Sequence, residues 1–146
     1  MGKFLAESAF ITAILSWFIA QVLKVIFVLI KDRKIDFGRF IGSGGMPSSH
    51  SSFVMGLTTA IGLTKGFSSD IFAVSAVLAL VVMYDAAGVR RAAGEQAKIL
   101  NQMVEEWGSQ NFKNTEVRLK ELLGHTPLQV FAGAVLGILI AVLRHI

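Results

Sequence analysis

Four apolar stretches, each close to the length of a membrane crossing, constrain this chain more than any other feature. They cover residues 10–30, 48–64, 70–89 and 127–143. A helix that crosses the hydrocarbon core of a bilayer needs about 20 mostly apolar residues, and such a segment must satisfy its own backbone hydrogen bonds. Hydrophobic residues make up 53% of the chain. We therefore predict an all-α integral membrane bundle with four spans, formed by a single domain of residues 1–146.

The segment between the third and fourth spans, residues 90–124, has a different character. It is polar and rich in helix-forming residues, and Ile99, Met103 and Trp107 recur at helical spacing. This pattern predicts an amphipathic helix that lies on the membrane surface.

The composition excludes several classes of site. The chain has no cysteine, so disulfides, thiolate metal sites and cysteine nucleophiles are ruled out. The net charge of +4 is better explained by basic loops that face anionic headgroups than by nucleic acid. The sequence also offers no dense carboxylate cluster. We predict membrane lipids as partners, no nucleic-acid partner, no metal and no cofactor.

The distribution of charge assigns the two sides of the membrane. Threading four spans through the bilayer places loops 31–47 and 90–124 on one side. Those loops carry ten lysines and arginines, against three on the other side. Because cytoplasmic loops are enriched in basic residues, we predict that this face is cytoplasmic. The same threading brings His50, Asp85 and His125 to that face.

The densest motif is GGMPSSHS, residues 44–51, where a polar loop becomes an apolar helix. Pro47 suits the first turn of a helix, and Ser48 and Ser49 are good capping residues. The start of a helix favours an anion, and His50 adds a group that exchanges protons near neutral pH. The motif predicts phosphate chemistry on a lipid, and the structural alternative is an ordinary helix cap.

A second histidine, His125, stands at the mouth of the fourth span. Two histidines that face one cavity can divide the work, because one can attack phosphorus while the other protonates the leaving oxygen. Lys24, Arg90 and Arg91 are candidates to hold the phosphoryl oxygens. The alternatives are a histidine bonded to a backbone carbonyl, a lysine that extends to the headgroups, and two arginines that only anchor the membrane surface.

These motifs resemble those of the type 2 phosphatidic acid phosphatases and vanadium-dependent haloperoxidases. Residues 47–50 (PSSH) are similar to the central motif of that superfamily, and residues 125–133 are similar to its third motif. Together with residues 83–94 and 121–127, they resemble the divergent branch of the superfamily, which occurs in bacteria and plants. The resemblance implies a protein of a bacterial plasma membrane.

The resemblance also implies roles for individual residues. His125 matches the nucleophile that would form a phosphohistidine, and His50 matches the acid that protonates the leaving group. Ser48 and Ser49 match the phosphate-binding backbone. The orienting aspartate of the superfamily falls at Gln129, which can hold an imidazole but cannot stabilise imidazolium by charge.

Other positions depart from the superfamily. Its third-motif arginine falls at Leu119, the arginine of its first motif falls at Lys31 without a following proline, and its core usually has six helices. We expect Asp85, together with Arg90 or Arg91, to replace the lost partners.

The function predicted from these residues is hydrolysis of a lipid phosphate or pyrophosphate by a metal-independent membrane phosphatase. The first alternative is a catalytically inactive module that binds phospholipids or anions, because the aspartate is missing. The second is a helix-packing subunit or small transporter. Small residues on the spans also leave faces on which a homodimer could pack.

Overall fold

The computed structural model describes residues 8–32, 45–107 and 124–146, without the side chains of residues 31–32, 90 and 104–107. Parts of the predicted loops 31–47 and 90–124, the side chains of Lys31 and Arg90, and Leu119 therefore lie outside the described residues. The described ranges contain five helices: α1 (Ala9–Asp32), α2 (Ser49–Lys65), α3 (Asp70–Ala87), α4 (Val89–Trp107) and α5 (Pro127–His145). Every regular element in these ranges is a helix, which confirms the all-α prediction.

Three segments are long and apolar enough to cross a membrane. They are Ala9–Ile30, Asp70–Met103 and Pro127–His145, and the second has 34 residues because it continues from α3 into α4. The second predicted span, residues 48–64, corresponds to α2, which has 17 residues and is not among these segments. The chain is thus an integral membrane protein by three of its helices.

The shortest of the five helices, α2, lies at the centre of the bundle. It packs against α1, α3 and α5, and α5 also packs against α1. Its buried residues are mostly small or polar: Ser49, Ser51, Ser52, Val54, Gly56, Thr58, Ala60, Ile61 and Gly62. A helix enclosed by other helices meets little lipid, so it can cross the bundle without being strongly apolar.

Small residues let the backbones of α1, α2 and α5 approach closely. A Cβ atom on Gly137 of α5 would lie 2.8 Å from the backbone nitrogen of Gly56 on α2. A Cβ on Gly56 would in turn collide with Ser16 of α1, whose carbonyl accepts a 3.0 Å hydrogen bond from the Ser52 hydroxyl. Close packing of small residues with polar bonds across helices is typical of membrane bundles. It fixes the relative positions of the helix ends that form the site.

Glycines mark the two breaks next to α3. Gly66 ends α2 with a φ of +92°, a conformation that favours glycine, and its N–H donates to the carbonyl of Gly62. The hydroxyl of Ser69 then caps α3 by accepting from the N–H of Phe72. Gly88 separates α3 from α4. The chain therefore turns sharply after α2, and α3 carries it back toward the end of the bundle where α2 begins.

Candidate active site

The start of α2 is joined to the start of α5 through Ser48. Its hydroxyl accepts from the N–H of Ser51 at 3.4 Å and from the Ser51 hydroxyl at 3.0 Å, so Ser48 caps the helix. Its own N–H donates to the carbonyl of Gln129 at 3.0 Å. Ser48 is fully buried. These bonds give it a structural task, and its predicted contact with phosphate stays a prediction.

Lys24 reaches from α1 to the same helix start. Its side chain is 2% exposed, and its ammonium nitrogen Nζ donates to the hydroxyl of Ser49 at 3.1 Å. Gly45, with a φ of +85°, lies over the lysine, because a Cβ there would be 3.8 Å from Cγ and Cδ of Lys24. In this structure the ammonium is thus directed at the first turn of α2 rather than toward the headgroups.

This arrangement places two positive features side by side. Ser49 begins the first turn of α2, where backbone N–H groups point out of the helix start and the helix dipole adds partial positive charge. The ammonium of Lys24 lies against the same turn. The ammonium and the positive start of the helix repel each other, and an anion bound between them would relieve that repulsion.

The start of α5 carries a capping box. The hydroxyl of Thr126 accepts from the N–H of Gln129 at 3.3 Å, and the amide oxygen Oε1 of Gln129 accepts from the N–H of Thr126 at 3.0 Å. The same Oε1 lies 3.2 Å from Nδ1 of His125. Gln129 therefore caps the helix and holds the imidazole with one atom.

That geometry determines which ring nitrogen of His125 carries the proton. A backbone N–H can only donate, so the Gln129 atom that faces Thr126 must be the amide oxygen. An amide oxygen can only accept, so Nδ1 of His125 must donate to it. In the neutral ring Nε2 then carries the lone pair. This is the tautomer that a nucleophile or proton acceptor at Nε2 requires.

Two backbone contacts place His125 beside the end of α3. Its N–H donates to the carbonyl of Ala86 at 3.1 Å. The preceding residue, Gly124, packs against the backbone of Arg91, and a Cβ there would overlap it. The position of the ring thus depends on the turn from α3 into α4.

The two histidines lie next to each other. Their ring centroids are 6.5 Å apart, with an angle of 61° between the ring planes. His125 is 4% exposed, whereas His50 is exposed. A reacting group would therefore enter from the side of His50 and meet His125 behind it.

The remaining predicted residues differ in position. Asp85 is half-buried and directly precedes Ala86. The guanidinium of Arg91 pairs with Glu95 one turn along α4 at 3.2 Å, and 48% of its side chain is exposed. The backbone and Cβ of Arg91 lie against Gly124 while its guanidinium pairs with Glu95, and its predicted contact with phosphate stays a prediction.

Sequence reasoning overlooked one feature of the site. The residues TPLQ at 126–129 have the spacing of a capping box, a polar residue followed three positions later by glutamine. That pattern was the signal that Gln129 would fold back to the start of α5, toward His125. As for metals, the described part of the chain holds no group of three His, Cys, Asp or Glu side chains that could bind one.

Comparison with known proteins places the chain in a family. The chain matches the divergent PAP2 family over residues 5–140, a range that includes both histidines and Lys24. It is 45% identical to YuiD of Bacillus subtilis (strain 168), which is described as an uncharacterized membrane protein, and the match covers 83% of each chain. No solved structure matches the chain. With its family match covering nearly the whole bundle, this chain belongs to the divergent PAP2 family.

Proposed function

We propose that this protein hydrolyses a lipid phosphate or pyrophosphate at the membrane surface, with His125 as nucleophile and His50 as acid. The observation that carries the proposal is the pair of imidazoles 6.5 Å apart, one of them held in the Nδ1–H tautomer by Gln129. A nucleophile oriented by a third group next to a proton donor is the usual signature of covalent catalysis. Family membership supports the same class of reaction.

The reaction has two displacement steps. In the first, the lone pair of Nε2 on His125 attacks phosphorus, the P–O bond to the lipid breaks, and protonated His50 gives its proton to the leaving oxygen. In the second, His50 takes a proton from water, whose oxygen attacks the phosphohistidine and breaks the P–N bond. Phosphate leaves, and both histidines return to their starting states.

Charge that develops on the phosphoryl oxygens is met by the first turn of α2 and by Lys24. The ammonium now donates to the Ser49 hydroxyl, and a phosphoryl oxygen there would receive a charge-assisted hydrogen bond in its place. Preorganised donors in a site that excludes water stabilise a transition state strongly. The proposed mechanism needs no metal ion for this task.

One specific observation favours a second function. The group that holds His125 is a neutral amide, which cannot stabilise imidazolium by charge. The same lysine and helix start would still bind a phosphate headgroup. The alternative proposal is therefore a membrane module that binds phospholipids or other anions without hydrolysing them.

The proposed topology has four crossings and a site on the cytoplasmic side. Seventeen residues of α2 extend about 26 Å, close to the ~30 Å hydrocarbon core. The basic loops support a cytoplasmic position for the histidine end of the bundle. We also propose that α4 lies along the membrane surface, and that the exposed apolar faces of the spans leave room for a homodimer.

Phosphate release from purified, detergent-solubilised protein tests the proposal. The substrates are a panel of lipid phosphates and isoprenyl pyrophosphates in EDTA, and the variants are His50→Ala and His125→Ala. His145→Ala is the matched control, because that histidine bonds the carbonyl of Ala141 at the opposite end of α5.

Turnover that is lost in the first two variants and kept in the control supports a phosphatase with two histidines. Lipid-phosphate binding without turnover in the folded wild-type protein selects the binding module. Turnover that survives His125→Ala refutes the assigned nucleophile.

A further inference from the structure

An apolar cavity lies in the half of the bundle below the histidines. It has a volume of about 510 Å³, which is in the range of small-molecule pockets. Its walls come from α2, α3 and α5, and they include Met55 and Leu63 of α2, Met83 of α3 and Val142 of α5. Methionines adapt their shape to irregular apolar partners. Neither the proposed chemistry nor its residues make use of this cavity.

Two hydroxyl groups near the cavity, those of Thr58 and Ser75, bond to backbone carbonyls within the bundle. Thr58 is 4% exposed, and its hydroxyl donates to the carbonyl of Ser75 at 3.1 Å. The hydroxyl of Ser75 donates to the carbonyl of Phe72 at 2.8 Å. Thr59 also lines the cavity, but the accessible surface of the lining is almost entirely apolar, so the cavity suits an apolar occupant.

Two phenylalanines lie at the end of the cavity that is remote from the histidines. The rings of Phe67 and Phe72 meet edge to face with centroids 5.1 Å apart. Phe67 also lies against Gly62, where a Cβ would be 2.5 Å from the ring. The pair limits how deep an occupant can extend. A helix from a second copy is about 10 Å in diameter and continuous. To occupy the cavity, it would have to extend past these two rings.

The other end of the cavity points to the site. Met55 is five residues after His50 on α2, a rise of about 7.5 Å, and Met83 is three residues before Ala86, whose carbonyl holds His125. From Met83 to Phe72 the helix rises about 16 Å, which is close to half of the ~30 Å hydrocarbon core. The cavity therefore begins about 7.5 Å beyond His50 and ends near the turn between α2 and α3, so a chain that starts at the histidines and fills it would extend past the middle of the bilayer.

We propose that this cavity binds the hydrocarbon chain of the lipid whose phosphate lies at the two histidines. The inference rests on the proposed function for the position of the headgroup. It adds that the substrate class is a phosphate attached to a single long apolar chain that extends from the site to the Phe67–Phe72 pair. Exposed Leu80 on the cavity wall gives this chain a lateral entrance from the bilayer.

Photocrosslinking tests the assignment without relying on turnover. The probes are long-chain alkyl phosphates that carry one diazirine, either near the headgroup or near the chain end, and the protein is the His125→Ala variant in lipid nanodiscs. We expect the first probe to label the level of Met55 and Met83, and the second to label Phe67 and Phe72. Peptide mass spectrometry locates the label.

A matched pair of substitutions on α3 tests the same point by occlusion. Ala76 lines the cavity, whereas Val74 is 69% exposed on the outer side of the helix. Ala76→Phe should reduce labelling inside the cavity by about tenfold, the ratio that corresponds to ~1.4 kcal/mol. Val74→Phe should leave it unchanged. The graded labelling by the two probes stands as evidence even if Ala76→Phe does not fold.

The outcomes separate the two proposals. Label in the cavity, together with a folded wild-type protein that hydrolyses no lipid phosphate, supports the chain site and refutes the phosphatase. Hydrolysis with label scattered over the outer faces of the spans refutes the chain site and keeps the phosphatase. Absence of label from the cavity with both probes, in the folded protein, also overturns the inference.

Discussion

Gln129 offers a direct test of how His125 is held. Its Oε1 accepts from Nδ1 of His125 at 3.2 Å and from the N–H of Thr126 at 3.0 Å. Gln129→Leu removes the oxygen that accepts both hydrogen bonds, whereas Gln129→Glu keeps an oxygen there and adds a negative charge. A neutral hydrogen bond contributes about 0.5–1.5 kcal/mol net, so its loss should shift the tautomer ratio of His125 by roughly two- to tenfold.

The rate of phosphate release should follow the same bond. We expect Gln129→Leu to lower the rate by about tenfold, since less of the ring presents its lone pair at Nε2. Gln129→Glu should raise the rate by about tenfold. The ring becomes positively charged as it attacks, and a hydrogen bond to a charged group contributes about 1.5–3 kcal/mol.

Two assays separate the causes. Nitrogen NMR of isotope-labelled histidine reports the tautomer directly, and phosphate release reports the rate. Thr126→Ala is the control, because it removes a capping contact of about 1 kcal/mol and leaves the bond between Gln129 and His125 in place. Equal rates of phosphate release for the wild-type protein, Gln129→Glu and Gln129→Leu would refute the reasoning. A wild-type His125 that carries its proton on Nε2 would refute it as well.

Three further predictions concern packing and charge. Gly133→Leu should destabilise the bundle by about 1–3 kcal/mol in thermal unfolding, because a side chain there collides with the carbonyl of Ser48. Lys24→Met should lower phosphate release by about 10²–10³-fold while it changes the melting temperature little, since an apolar residue of similar shape can replace a buried charge without loss. Arg91→Ala should leave phosphate release within about twofold, because the guanidinium pairs with Glu95 on an exposed face.

The first of these predictions has a matched control, and each of the other two has a result that would contradict it. Val135→Leu adds bulk at a position of α5 that is 38% exposed, and it should leave thermal unfolding unchanged. Full activity in Lys24→Met would remove the lysine from the proposed phosphate site. A large loss in Arg91→Ala would mean that its side chain turns toward the histidines when substrate binds.

Hydropathy was sufficient to predict α1, α3 and α5, because those helices contact lipid and their apolar character is continuous. It described α2 less well. That helix is shielded by its neighbours, so its serines and glycines serve packing rather than contact with lipid. The break at Gly88 was also missed, since the predicted span ran on to residue 89.

The candidate site followed from sequence in part. Threading the chain through the membrane was enough to expect His50 and His125 at one end of the bundle. It did not predict the bond from Ser48 to Gln129, because a backbone hydrogen bond between two helix starts depends on how closely the helices pack. The position of the Arg91 side chain has a local cause. Glu95 stands four residues later, a spacing that favours a pair along the helix.

The bond from Ser48 to Gln129 also has a consequence for how the protein is made. Ribosomes deliver α1 and α2 first, and α5 last. Until α5 enters the membrane, the N–H of Ser48 lacks the Gln129 carbonyl that accepts its hydrogen bond in the folded protein. The start of α2 therefore gains its final hydrogen bond only after α5 has entered the membrane. A chain interrupted before Gln129 would therefore leave the start of α2 without its hydrogen-bond partner from α5.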